Sequence, residues 1–262
     1  MDLIDIGANL AHDSFDEDRN EVLDRAAAAD VSRIIITGSS YDSNAAALDL
    51  AVAHPGRLFA TAGMHPHHAS DYDERCDQQI RVLAQRPQCV AIGECGLDYF
   101  RNFSPRAAQR STLSAQLNIA IDTGLPLFLH QRDAHEDFID LLEPQLGKVS
   151  RAVAHCFTGD ATALNDYLSM GLYLGITGWI CDERRGKDLY ELVASIPDDR
   201  LMIETDAPYL LPRTLRPKPK SRRNEPAFLP EVLKVLAEAR GQSIADVANF
   251  TRENAIRFFD LP

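Results

Sequence analysis

The apolar positions of this chain fall into short, separated runs. Strand-like runs lie at 3–6, 32–37, 58–62, 90–93, 127–129, 152–154, 172–176 and 201–203. Each is followed by a stretch in which apolar and polar residues mix at helical spacing: 15–29, 43–53, 74–84, 106–122, 134–142, 161–170, 187–194 and 229–239, with a last helix near 244–258. Alternating strand and helix units of this length predict a parallel sheet. Eight of them in about 250 residues favour a closed (β/α)8 TIM barrel over a doubly wound sheet. Neither G-x-G-x-x-G nor G-x-x-x-x-G-K-[ST] occurs, so nucleotide-cofactor folds lose their usual support. No low-complexity segment or linker breaks the pattern, and residues 1–262 read as one domain. The long irregular stretch is 207–226. Loops longer than about 12–15 residues in a compact domain often carry function.

The ends of the runs hold the chemistry. Val90-Ala91-Ile92-Gly93 leads to Glu94, Pro126-Leu127-Phe128-Leu129 to His130, and Arg151-Ala152-Val153-Ala154 to His155. Leu201-Met202-Ile203 leads to Glu204-Thr205-Asp206. A parallel barrel gathers its strand ends on one face, where such folds keep their active sites. One carboxylate or histidine after a strand is commonplace, an exposed turn residue or a satisfied polar group. Glu94, His130 and His155 in matching positions instead suit a divalent cation that activates water. Asp206 is then a further ligand or the base that orients the water, against the plainer reading of a turn-capping aspartate. Glu204 shares its side of the strand if that strand continues, and otherwise supports the ligands from behind.

His65-Pro66-His67 closes the third run and reads equally well as a turn that holds a phosphate or a water and as surface histidines. Arg132 lies on the same loop as His130, where it would meet an anionic substrate.

Composition narrows the setting. The chain has 262 residues, 45% of them hydrophobic, enough for a large core. Its 5 cysteines are scattered without a C-x-x-C pair, as in a reducing cytoplasm. The first residues carry acids where a signal peptide carries Lys or Arg, and no run nears the roughly 18 apolar residues of a membrane span. The expectation is a cytoplasmic monomer with no membrane partner. The net charge of −12 argues against a protein coated in positive charge for non-specific DNA binding. Against that background the segment 213–225, with 6 basic residues and no acid before Glu225, stands out. Most charge runs are solvated loops, but Arg222 and Arg223 carry forks that suit phosphate oxygens. A metal beside an arginine loop describes phosphodiester hydrolysis better than amide hydrolysis.

The motifs Asp5-Ile6-Gly7-Ala8-Asn9, Gly63-Met64-His65-Pro66-His67, Gly93-Glu94-Cys95-Gly96-Leu97-Asp98, His130-Gln131-Arg132-Asp133-Ala134-His135, His155-Cys156-Phe157-Thr158-Gly159, Glu204-Thr205-Asp206-Ala207-Pro208-Tyr209 and Arg222-Arg223-Asn224-Glu225-Pro226 together resemble the TatD family of metal-dependent deoxyribonucleases, along nearly the whole chain. The resemblance implies a TIM barrel of the metal-dependent hydrolase type. It implies exonuclease activity on DNA, 3′→5′ on single strands, with RNA as a further substrate and a role in DNA repair. It also implies that Glu94, His130 and His155 bind metal and that Asp206 completes the site.

One departure matters. Many relatives open with D-x-H-x-H, whose histidines hold a second metal, and here those positions are Gly7 and Asn9. A second metal would be held weakly, by Asn9, Glu94, Asp206 and substrate phosphate. Oxygen donors of this kind suit Mg²⁺, with Mn²⁺ or Zn²⁺ as alternatives. Two rival readings share the barrel: a small-molecule amidohydrolase, and a catalytically inactive protein that binds metal and nucleic acid.

Overall fold

The computed structural model describes residues 1–262. Its strands are β1 (Leu3–Ala8), β2 (Val31–Ile36), β3 (Leu58–Ala62), β4 (Cys89–Asp98), β5 (Leu127–Arg132), β6 (Ala152–Ala154), β7 (Tyr173–Ile176) and β8 (Leu201–Ile203). The helices are α1 (Arg19–Ala28), α2 (Tyr41–Ala53), α3 (Glu74–Leu83), α4 (Arg106–Thr123), α5 (His135–Leu142), α6 (Ala161–Ser169), α7 (Lys187–Leu192), α8 (Leu229–Arg240) and α9 (Ile244–Phe259). One eight-stranded sheet runs in the order β1 to β8, the arrangement of a (β/α)8 TIM barrel. No helix is long and apolar enough to cross a membrane.

The chain forms two compact units, Ile36–His155 on the one hand and Met1–Ile35 with Cys156–Pro262 on the other. In the first, β3, β4, β5 and β6 pair side by side in parallel. Strand β4 is buried along all 10 residues, as expected where a sheet has side chains packed on both faces. The apolar run predicts an end at Gly93, but the strand continues to Asp98. The reason is a shift of register between Ile92 and Cys95, at which Gly93 takes φ 136°. A side chain at Gly93 would collide with the Phe128 carbonyl, and one at Gly96 with that of His130. These two glycines let β4 press against β5 and carry both Glu94 and Asp98. Helix α2 starts at a capping box between Ser40 and Ser43, and α4 ends on the left-handed Gly124.

In the second unit β1 lies beside β8. The Asp206 amide donates to Gly7 O at 2.8 Å and the Asn9 amide to Ala207 O at 2.6 Å. Helices α8 and α9 cover this part, the latter burying Val247, Ala248, Ala255, Phe258 and Phe259. Residues between β8 and the 3-10 turn Pro226–Phe228 form neither helix nor strand, as the irregular stretch predicts.

Candidate metal centre

Four neighbouring strands of the first unit deliver one cluster. Glu94 stands on β4, His130 on β5, His155 directly after β6, and His65 three residues after β3. All three imidazoles point at one atom, Oε1 of Glu94. His155 Nε2 lies 2.8 Å away, His130 Nδ1 3.0 Å and His65 Nε2 3.3 Å. The three residues whose strand positions predict a metal site are thus together. His155 is further fixed by stacking on Phe128, with ring centroids 4.7 Å apart.

His65, rather than His155, is the third residue of the group whose ligand atoms, with those of Glu94 and His130, all lie within 4.8 Å of one another. Its hydrogen bonding argues for another part. His65 Nδ1 accepts the His67 amide at 3.1 Å, capping the turn Pro66–Asp71. A neutral imidazole that accepts at one nitrogen carries its proton on the other. Burial lowers the His65 pKa to about 4, so the ring is neutral at neutral pH and its Nε2 is a donor. It steadies Glu94, or would donate to a phosphate oxygen, rather than ligate a cation.

Burial alone would push the Glu94 carboxyl up. Electrostatic attraction to His155 and His65, with hydrogen bonds from His130 and His155, outweighs it and holds Glu94 well below its ordinary range. Asp98 behaves alike: burial raises it, the nearby His130 and the hydrogen bond from His67 lower it more, and it stays ionised. Its Oδ2 lies 2.7 Å from His67 Nε2, and its Oδ1 accepts the Arg101 amide at 2.8 Å. For His130, burial lowers the pKa, but the nearby Asp98 and Glu94 carboxylates prevail and the ring is easier to protonate than usual. One atom is left over. His130 Nε2 is buried without a hydrogen-bond partner, 3.6 Å from Asp98. A buried imidazole nitrogen left without a hydrogen-bond partner costs energy as it stands. Two imidazoles on an ionised carboxylate, with that orphan beside them, form a donor set that fits a divalent cation.

The spacing of Glu94 and Asp98 is the signal that the sequence reading passes over. Residues four apart in a strand share a face, but the predicted strand stops before either.

In the second unit Asp206 follows β8 with φ 54°, and its Oδ1 accepts from Asn9 Nδ2 at 3.0 Å. The turn that carries it is braced from below. Asp5 is fully buried on β1 and accepts both the Thr205 amide, at 2.9 Å, and the Thr205 hydroxyl. Burial pushes the Asp5 carboxyl up to about 7 despite these bonds. Asn224 donates to Thr205 O at 2.9 Å. Glu204 accepts the Cys156 amide, which ties β8 to the loop after β6. Each of these braces lies inside the motifs above, but no spacing rule reveals their contacts.

The two arginines of the basic loop part company. Arg223 spends its guanidinium inside the protein, on Asp18 and Glu225 at 2.7 and 2.9 Å and on Ser14 O at 2.6 Å, above the Phe15 ring. Arg222, Lys218 and Lys220 are exposed. In the first unit Arg132 ends β5 with its guanidinium carbon 5.2 Å from the Phe100 ring centroid.

A β/α barrel with a histidine–carboxylate cluster on neighbouring strands is the frame of a divalent-metal hydrolase. The particular family follows from comparison: the chain belongs to the TatD related DNase family, whose model matches residues 4–260. A protein of Erwinia tasmaniensis named 3′-5′ ssDNA/RNA exonuclease TatD is 51% identical over 99% of this chain and 100% of its own length. A protein of the same name from Yersinia pseudotuberculosis is also 51% identical, with the same coverage. Among solved structures, a TatD family hydrolase from Entamoeba histolytica superposes with a TM-score of 0.90 at 27% identity, covering 100% of this chain and 99% of that one. A TatD homologue from Escherichia coli matches with the same TM-score and identity, covering 99% and 98%.

Proposed function

We propose that the protein is a divalent-metal-dependent 3′→5′ exonuclease on single-stranded DNA, with RNA as a further substrate, serving DNA repair in the cytoplasm as a monomer. The observation that carries the reading is the convergence of His130 and His155 on Glu94 beside the orphaned Nε2 of His130. Full-length likeness to relatives named 3′-5′ ssDNA/RNA exonucleases supplies the substrate.

Glu94, His130 and His155 would hold the cation, with Mg²⁺ the first choice. A cation there supplies a water of lowered pKa and polarises the phosphoryl group. Asp206, aimed by Asn9, takes the proton of the attacking water. His65 and His67 donate to phosphate oxygens from their shared turn. Arg132 and Arg222 offset the charge that grows on the phosphate in the transition state. A second, weakly held cation that arrives with the substrate would draw on the oxygen donors of Asn9, Glu94 and Asp206.

The test is hydrolysis of a 5′-labelled single-stranded oligonucleotide, with Mg²⁺ or with EDTA, by this protein and by Glu94→Gln. The expected result is stepwise shortening from the 3′ end with Mg²⁺, none with EDTA, and a loss of at least about 10²-fold in the variant. Shortening that persists in EDTA, or that is unchanged in Glu94→Gln, would overturn the reading.

A further inference from the structure

The loop between β4 and α4 holds two phenylalanines out in water. Phe100 is 59% and Phe103 67% exposed, while the other phenylalanines of the chain are buried or half-buried. Two large apolar rings three residues apart on one loop are costly to leave in solvent.

The loop is also firmly built. Gln109 accepts the Asp98 amide at 2.8 Å and donates to the carbonyls of Asp98, at 3.1 Å, and Ser104, at 2.8 Å. Ser104 donates to His67 O at 3.0 Å and accepts the Ser70 amide at 3.1 Å. Asn102 takes the left-handed conformation, φ 51°, that turns the chain between the two rings. The rings are therefore displayed by buried hydrogen bonds, and little freedom remains to be lost on binding.

Their neighbours indicate what they display to. The Arg132 guanidinium carbon lies 5.2 Å from the Phe100 centroid and that of Arg101 5.9 Å. Phe103 meets the His67 ring edge to face, 4.7 Å between centroids, and His67 in turn binds Asp98 at 2.7 Å. Apolar faces, cations and the Glu94–His130 cluster thus form one continuous strip of the first unit. A ligand suited to it has flat aromatic faces and anionic links at short intervals, which describes a single nucleic-acid strand.

We propose that Phe100 and Phe103 are a stacking platform for the nucleobases next to the phosphate engaged at Glu94. The proposal rests on the nuclease reading above and deepens it. Stacking on an aromatic ring tolerates every base, because each has a π face. It also favours single strands, since the bases of a duplex are already stacked on each other.

The experiment compares an intact single-stranded oligonucleotide with one whose two 3′-terminal nucleotides lack bases. Binding is read by fluorescence anisotropy with Ca²⁺ replacing Mg²⁺ to slow hydrolysis, and cleavage is read in Mg²⁺. The protein should bind the intact strand more tightly by on the order of 10-fold per stacked base. Phe100→Ala combined with Phe103→Ala should bind both strands alike, with an unchanged thermal midpoint because both rings are exposed. Phe103→Trp should keep the preference and Phe103→Leu should weaken it, which separates stacking from mere apolar contact. The same intact-to-abasic ratio in the protein and the double alanine variant would overturn the platform, as would a variant whose change is confined to self-association. A base preference without any cleavage would sink the nuclease reading and leave the platform standing. Cleavage of both strands with equal affinity would do the reverse.

Discussion

At the scale of single residues, this protein puts several side chains where they are costly and holds them there. Cys156 and Asp206 adopt φ 46° and 54° in the loops after β6 and β8, and Asp133 φ 53° after β5. Such conformations cost of order 1–3 kcal/mol for non-glycine residues and concentrate at functional sites, although aspartate bears them more easily than cysteine. Asp206 is kept there by its amide bond to Gly7 and by the Asp5–Thr205 brace beneath. Asp206→Asn should therefore leave the turn and the thermal midpoint in place, because an amide oxygen can still accept from Asn9. Turnover should fall by about 10²–10⁴-fold, the usual contribution of a base or water-orienting carboxylate. A near-normal kcat would reduce Asp206 to a turn residue.

At the scale of elements, the basic loop separates into a part paired within the protein and a part left exposed. Arg223 clamps the loop to the chain segment before α1 through Asp18, so its charge is not available to a substrate. Arg222, one residue away, is exposed and makes no ion pair. Arg223→Gln should lower stability by about 1 kcal/mol, the upper range for a partly exposed pair. Arg222→Gln should leave stability alone and raise KM for single-stranded DNA, an effect that shrinks as salt rises. Equal KM for Arg222→Gln and the unaltered protein at low salt would return the loop to a solvated strip.

The same clamp has a pH signature. Hydrogen bonding from Arg223, and then from Arg25, holds Asp18 down to about 2 from an ordinary 3.8. A depressed carboxylate contributes stability above its unfolded pKa. That contribution is full above about pH 4 and lost as pH falls towards 2. Acid titration of the thermal midpoint should show this loss in the protein, and a smaller one in Arg223→Gln. Parallel curves would mean that Asp18 gains nothing from the clamp.

For the whole molecule, the cation should act as a stabiliser. The first unit gathers Glu94, His65, His130 and His155 from four loops and strands, and leaves His130 Nε2 unsatisfied. A cation that binds only the folded state adds about 2.7 kcal/mol when its concentration is 100 times its Kd. For a chain of this size each kcal/mol moves the midpoint by about 2–4 °C. Mn²⁺ or Mg²⁺ should thus raise the midpoint by several degrees, EDTA should reverse it, and Glu94→Gln should abolish the shift. A midpoint indifferent to all three conditions would leave the cluster as a hydrogen-bonded core without a cation.

Periodicity by itself determined the order and kind of the elements: β3, β6 and β8 begin and end where the apolar runs do, and α4, α8 and α9 agree to within about two residues. These elements are local, since apolar spacing and turn residues act over a few positions, and closure of a parallel barrel then follows from eight alternating units. The same reading brought Glu94, His130 and His155 into consideration, because strand ends of a barrel share a face. What it did not determine depends on contacts distant in the chain. The extension of β4 to Asp98 needs the Phe128 and His130 carbonyls to crowd out any side chain at Gly93 and Gly96. The proton on His65 Nε2 depends on a backbone amide, and the burial of the Arg223 charge on Asp18, more than 200 residues earlier. The outward rings of Phe100 and Phe103 follow from the grip of Gln109 on their loop. Hydrogen bonds and steric exclusion of this kind exist only once the strands are side by side, so tertiary structure alone decided which of two neighbouring arginines is paired inside the protein and which is left to solvent.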